Sequence, residues 1–255
     1  MPFIRSVLHL LWMVITVIPW GIALLLLSLV VSRTTLWWFA VSWFRVVIWG
    51  TRVILGIHVQ VTGLENLPDG ARSPAVLLAK HQSTLETILL PTLMPHALAY
   101  VFKRELLRIP FFGWSMARLD MIHIDRESRA EAMKHIMTQG KRLLSQGTWV
   151  ILFPEGTRMP RGARGTYQTA GTRLAVEAGA PVIPIALTTG ACWPRRGFIK
   201  RAGVVHVSIG PAIPSDGREA KDLMREAETW IELEMRRLDP QAYPAHSKPA
   251  QLDAS

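Results

Sequence analysis

Between Arg5 and Arg33 the chain has no Lys, Arg, Asp or Glu, and Val7 to Val31 is dominated by Leu, Val and Ile. A run this long and apolar is poorly suited to water. As a helix rising about 1.5 Å per residue it matches a hydrocarbon core about 30 Å thick. It predicts a membrane-associated helical segment. Pro19 and Gly21 sit in its middle and predict either a kinked span or a re-entrant one. A cleaved signal peptide fits less well, because the run is too long and no small-x-small site follows it. A second uncharged run, Thr34 to Phe44, carries Trp37, Trp38 and Trp43, with Trp49 beyond it. Tryptophan favours the membrane–water boundary. Arg45 and Arg52, seven apart, share one helix face. This run reads as an interfacial helix; the alternative is a buried helix of the soluble body. Lys and Arg are nearly absent before the first run and abundant after it. That bias predicts attachment to the inner (cytoplasmic) membrane with the rest of the chain facing the cytoplasm.

Lys and Arg number 29 against 19 Asp and Glu in 255 residues, a formal net charge of +10. Such a balance calls for an anionic partner: nucleic acid, lipid headgroups or a phosphorylated small molecule. Hydrophobic residues make up 49% of the chain, which favours lipid over nucleic acid. The single cysteine, Cys192, excludes an intramolecular disulfide and reads as an ordinary small residue.

From about Ile57 short apolar runs alternate with amphipathic stretches. The predicted strands are Ile57–Val61, Ala75–Ala79, Ala97–Phe102, Met121–Ile124, Trp149–Phe153, Val182–Leu187 and Val204–Ile209. The predicted helices are Thr84–Leu93, Ser128–Ser145, Ala170–Ala178 and Arg218–Leu238. This alternation predicts an α/β domain with a mixed, largely parallel central sheet flanked by helices. The expected division is residues 1–52 as anchoring segment, 53–238 as α/β domain and 239–255 as a mobile tail rich in Pro, Ala, Ser and Gln.

Two motifs carry chemistry. Lys80-His81-Gln82-Ser83-Thr84-Leu85-Glu86 follows the strand ending at Ala79, with Ser83 or Thr84 as N-cap of the next helix. His81 and Glu86 would stand about 140° apart on one continuous helix. With His81 in the preceding loop and Glu86 in the first turn they can meet. Glu86 then fixes the imidazole tautomer, and the other nitrogen serves as general base. The nucleophile is the acceptor's own hydroxyl, so no serine or cysteine is needed. Backbone N–H groups near Ser83 are candidate oxyanion donors. The second motif, Phe153-Pro154-Glu155-Gly156-Thr157-Arg158, ends the strand Trp149–Phe153, where open α/β sheets bind ligands. Pro154 and Gly156 shape a turn, Arg158 is suited to grip a phosphate, and Glu155 to accept from glycerol hydroxyls. The histidines show no metal-ligand spacing, and no metal is expected.

In this order and at this separation the motifs resemble the glycerolipid acyltransferase family of the 1-acylglycerol-3-phosphate type. The family's first block is His, four residues, then Asp; here Glu86 takes the acidic place and lengthens the relay by one methylene. Phe102-Lys103-Arg104-Glu105-Leu106 with Ile109-Pro110-Phe111-Phe112-Gly113 is similar to the second block, which implies phosphate contacts from Lys103 and Arg104. Ile124-Asp125-Arg126 follows as in the family, and Val182–Leu187 looks like the fourth block. Gln168 stands where related sequences often carry Lys. The resemblance spans Ile57 to Pro214.

It implies catalysis by His81 and Glu86, substrate binding by Lys103, Arg104, Glu155, Gly156, Thr157 and Arg158, and no cofactor. The implied reaction moves a fatty acyl group from acyl-CoA or acyl carrier protein to the sn-2 hydroxyl of a lysophospholipid, 1-acylglycerol-3-phosphate, giving phosphatidic acid. The alternatives are another lysolipid acceptor, such as a lyso-ornithine lipid, or a catalytically silent lipid-binding protein. The cluster Arg195, Arg196, Lys200 and Arg201 is expected to face anionic membrane lipid or acyl carrier protein.

Overall fold

The computed structural model describes residues 1–70, 72–125 and 128–243, residue 129 by its backbone alone. Arg126 and the tail beyond residue 243 lie outside the described residues. Helices α1 (Pro2–Leu27) and α2 (Arg33–Gly50) come first. A π-helical turn (Thr51–Leu55) leads into β1 (Ile57–Thr62). There follow β2 (Val76–Ala79), α3 (Leu85–Leu93), β3 (Leu98–Lys103), α4 (Phe112–Arg118), β4 (Ile122–Ile124), α5 (Arg129–Ser145), β5 (Trp149–Leu152), α6 (Ala170–Ala178), β6 (Val182–Leu187), β7 (Gly203–Ile209) and α7 (Ala220–Leu238).

The strands form one seven-stranded sheet in the order β1-β7-β6-β2-β5-β3-β4. Every neighbouring pair is parallel except β6–β7. The central strands β2, β5 and β6 are buried along their whole length. Their unbroken apolar sequences are what a strand covered on both faces requires. Leu77, Ala79, Ile151 and Ile183 pack towards α2 and α3. Val76, Leu78, Val150 and Val182 pack on the opposite face, towards α5, α6 and α7. The strands β6, β2, β5, β3 and β4 point the same way, so the loops that follow them gather at one edge.

Helices α1 and α2 form an antiparallel hairpin stitched by indole N–H donors. Trp12 donates to the Val46 carbonyl at 3.2 Å, Trp43 to Thr16 Oγ1 at 3.1 Å and Trp20 to Ser42 Oγ at 2.9 Å. Pro19 and Gly21 do not divide α1, which runs unbroken through both. Gly21 instead clears room for α4: a Cβ there would lie 3.2 Å from Phe111 Cβ. Both helices are long and apolar enough to cross a membrane, with mean hydropathy 2.4 for α1 and 1.3 for the helix running on to Leu55.

The interfacial reading of α2 needs correcting in part. Leu36, Trp37, Val41, Phe44 and Val47 are buried in the same core as the sheet. Trp38 and Trp49 remain outward-facing. Helix α2 therefore closes one face of the α/β body, and the division expected at residue 52 falls inside the π-helical turn. The first residues of the expected tail have partners in the body. Asp239 takes two 2.7 Å hydrogen bonds from Arg161, and Tyr243 is buried. Helix α4 went unpredicted because its seven residues, about two turns, follow Phe111 and show no amphipathic period.

Gly63, just after β1, has φ +81, and a Cβ there would lie 2.0 Å from the Ile209 carbonyl oxygen at the end of β7. Both the left-handed backbone and the backbone contact oppose a side chain. Gly63→Ala is expected to lower unfolding free energy by more than about 2 kcal/mol, read from urea denaturation. An unchanged midpoint would show that the β1–β7 end can open without cost.

Candidate active site

The first motif turns at the end of β2. Its geometry is set by Glu86, whose side chain is fully buried. Oε1 accepts from the backbone N–H of Gln82 at 2.8 Å and of Ser83 at 2.9 Å, and from the Thr189 hydroxyl. Oε2 lies 2.5 Å from His81 Nδ1. The carboxylate thus ties down the turn that precedes α3, where no cap side-chain bond comes from Thr84. Ser83 Oγ accepts from the Leu85 N–H at 3.1 Å. A carboxylate only accepts, so Nδ1 carries the imidazole proton and Nε2 is left as acceptor. Phe153 stacks on the ring at 3.8 Å between centroids and 16° between planes. His81 has 14% of its side chain exposed and its partner Glu86 none.

The expected oxyanion donors need correcting. The N–H groups of Gln82 and Ser83 are occupied by Glu86, so neither points at substrate. The lengthened acidic side chain reaches both the imidazole and the turn beneath it.

The second motif folds over the first. Glu155 is buried, and its oxygens are taken by Lys80 Nζ at 2.8 Å, the Gly165 N–H at 2.9 Å and the His81 N–H at 3.2 Å. Glu155 thus holds the backbone of His81. The Met159 N–H donates to the His81 carbonyl at 2.6 Å, and Arg158 Nη1 to Thr84 Oγ1 at 2.6 Å. Gly156 has φ +68, which only glycine adopts freely. Thr157 is exposed and Arg158 half-buried.

Beneath both motifs lies a buried charge cluster. Lys80 is fully buried and donates to Glu155 Oε1, to Glu232 Oε1 at 2.7 Å and to the Ala163 carbonyl at 3.1 Å. Tyr167 donates to Glu232 at 2.9 Å, and Gln82 Nε2 to Tyr243 Oη at 2.5 Å. Burial pushes the Glu155 carboxyl above its ordinary value, against the opposing pull of Lys80. Burial, with nearby Glu155 and Glu232, also raises the Tyr167 phenol well above the usual range.

Lys103 and Arg104 are exposed where β3 ends, on the same sheet edge as His81. Among the described residues no hydrogen bond links them to His81. Gln168 is exposed, its N–H bonded to the Pro154 carbonyl. Lys200 departs from the expected surface cluster. It is buried, donates to the Phe198 carbonyl at 3.0 Å and sits 4.8 Å above the Trp193 ring. Desolvation lowers its pKa. Sequence reasoning passed over Lys80, Thr189, Glu232 and Tyr243. A lysine directly after an all-apolar strand, and a glutamate three residues before the buried Met235 of α7, are the signals that were present. Tyr100 is another: it is buried, and its hydroxyl finds no partner among the described residues. No three His, Cys, Asp or Glu side chains gather into a metal-binding group among those residues.

Comparison with known proteins agrees with this geometry. A family model described as "Acyltransferase" matches residues 58–188. A Pseudomonas aeruginosa protein named 1-acyl-sn-glycerol-3-phosphate acyltransferase is 41% identical over 252 residues, covering 97% of this chain and 96% of the relative. The human protein named 1-acyl-sn-glycerol-3-phosphate acyltransferase alpha is 29% identical over 70% of this chain and 63% of its own length. The fold is shared with the 1-acyl-sn-glycerophosphate acyltransferase of Thermotoga maritima, at TM-score 0.77 and 24% identity over 97% of this chain and all of the other. The matched family span contains both interlocked motifs, and the Pseudomonas relative aligns nearly end to end: the chain belongs to the acyltransferase family.

Proposed function

We propose that the protein transfers a fatty acyl group from an acyl thioester to the sn-2 hydroxyl of 1-acylglycerol-3-phosphate, forming phosphatidic acid. The observation that carries this reading is the His81–Glu86 pair, with Nδ1 bound to a buried carboxylate and Nε2 left to accept. His81 Nε2 takes the hydroxyl proton as the acceptor oxygen attacks the thioester carbonyl. The tetrahedral intermediate collapses, the carbon–sulfur bond breaks, and the thiolate recovers the proton from Nε2. Glu86 steadies the imidazolium between the two transfers. Arg158, with Lys103 and Arg104 on the neighbouring strand end, supplies positive charge for the acceptor's phosphate. The donor is acyl-CoA or acyl carrier protein, and the reaction needs no further cofactor. The apolar helices α1 and α2 support work at a lipid surface, on the cytoplasmic side of the inner membrane by the charge bias of the chain.

Lys80 and Glu155 act through His81 rather than on substrate. Glu155 fixes the His81 N–H, and Lys80 holds Glu155. Removing the lysine leaves two buried carboxylates sharing no cation.

Purified protein in mixed micelles, given oleoyl thioester and lysophosphatidic acid, is expected to form phosphatidic acid. His81→Ala should lose the activity by at least about a hundredfold while keeping its circular dichroism spectrum. A folded, active variant would remove the mechanism. Arg158→Ala is expected to raise the KM for lysophosphatidic acid about ten- to a hundredfold, the scale of a lost charge-assisted hydrogen bond. An unaltered KM would sever Arg158 from the phosphate. Lys80→Met should lower unfolding free energy by about 3–5 kcal/mol; a midpoint within error of the unaltered protein would show that the cluster is not what joins the two motifs.

A further inference from the structure

One guanidinium at the rim of the site has no part in the mechanism above. Arg195 lies half-buried on the loop between β6 and β7, with Nη2 3.5 Å from Thr157 Oγ1. Thr157 immediately precedes Arg158, so Arg195 reaches the same turn that carries Arg158. Among the described residues neither Arg158 nor Arg195 has an ion-pair partner. Nearby Arg161 and Arg164 do, on Asp239 and Glu228. Two arginines left without carboxylates beside a catalytic base are available to an anionic ligand.

The loop that carries Arg195 is fastened at both ends. At its start the Thr189 hydroxyl donates to Glu86, and the Trp193 N–H to the Thr189 carbonyl at 2.9 Å. Trp193 is buried with His9 of α1 edge-on to it at 5.5 Å. At its end the Lys200 N–H donates to Ser6 Oγ of α1 at 2.8 Å, and the Arg201 N–H closes onto the Cys192 carbonyl at 2.9 Å. Arg195 follows Pro194 between these anchors, so its backbone is held in place before substrate arrives.

We propose that Arg195 is a second arginine for the acceptor's phosphate monoester, and that it sets preference for a monoester over a singly charged phosphodiester lysolipid. The inference rests on the proposed function. A monoester carries roughly −1.5 to −2 charges near neutral pH, which two guanidinium groups match better than one. Arginine's planar fork also suits phosphate oxygens.

The test compares Arg195→Ala and Arg195→Lys with the unaltered protein in two measurements. The first is equilibrium binding of lysophosphatidic acid and of lysophosphatidylglycerol in detergent micelles. The second is steady-state acyl transfer with each acceptor and with varied thioester. The expected result is lysophosphatidic acid binding weakened about ten- to a hundredfold in Arg195→Ala. Its KM should rise to match, lysophosphatidylglycerol should change less than about threefold, and the KM for thioester should hold. Arg195→Lys should recover part of the loss. Unchanged lysophosphatidic acid binding in Arg195→Ala would overturn the inference. So would a raised KM for thioester alone, which would give Arg195 to the donor's phosphates. Because binding is read apart from turnover, an unaltered protein that binds the monoester yet transfers nothing would sink the proposed reaction and leave Arg195 judged on binding.

Discussion

The ammonium of Lys80, sealed between Glu155 and Glu232, is the contact on which the rest of the site depends. The three side chains come from the end of β2, the loop after β5 and the middle of α7. Each must arrive at one point, because a lone charge at any of these positions would cost several kcal/mol of desolvation. Such a cluster gives little net stability compared with a well-packed apolar substitute. It does discriminate strongly against displaced arrangements, since a strand or helix shifted by one residue leaves a buried charge unmatched. The consequence is local. Glu155, held from below by Lys80 and Gly165, presents its second oxygen to the His81 N–H, so the turn that carries His81 inherits the rigidity of the cluster.

Glu86 applies the same economy of groups above. One carboxylate oxygen gathers two backbone N–H donors and the Thr189 hydroxyl, while the other meets the imidazole. Holding the turn before α3 and orienting the His81 ring are therefore one interaction. An aspartate would be one methylene shorter at this position. The longer side chain of Glu86 still spans the turn, and Thr189, from the loop after β6, meets it from the far side. The His81 ring and the turn before α3 are coupled through a single buried side chain, so a change to one is felt by the other.

Much of this was legible. The seven strands could be read because buried parallel strands such as VLLA and VIPIAL are continuous apolar runs bounded by polar turns. The His81–Glu86 contact followed from placing a five-residue spacing across a loop–helix junction. What escaped was tertiary satisfaction. Nothing local in Glu155 says that one of its oxygens will meet Lys80, seventy-five residues earlier. Lys200 read as surface charge for a similar reason, since its burial depends on Trp193 and Phe198 folding over it. The tryptophans of α2 read as boundary anchors, yet Trp37 joined the core and Trp43 the hairpin seam. Indole suits either place, and only the packing partner decides.

Helix α1 reverses the usual logic of an amphipathic helix. Its outer face exposes Phe3, Ile4, Leu8, Leu11, Ile15, Ile18 and Ile22, while its inner face buries the polar Ser6, His9 and Thr16. Each inner group has a partner elsewhere in the chain: Ser6 in Lys200, His9 in Thr51, Thr16 in Trp43. Polar groups on an apolar helix are costly in hydrocarbon unless protein satisfies them. The pattern thus fits a helix docked on its own domain along one side and open to lipid along the other. Ser6 and His9 meet the same loop that runs from Thr189, bonded to Glu86, through Arg195. The exposed apolar face of α1 and the loop that bonds Glu86 are therefore two sides of a single packed unit.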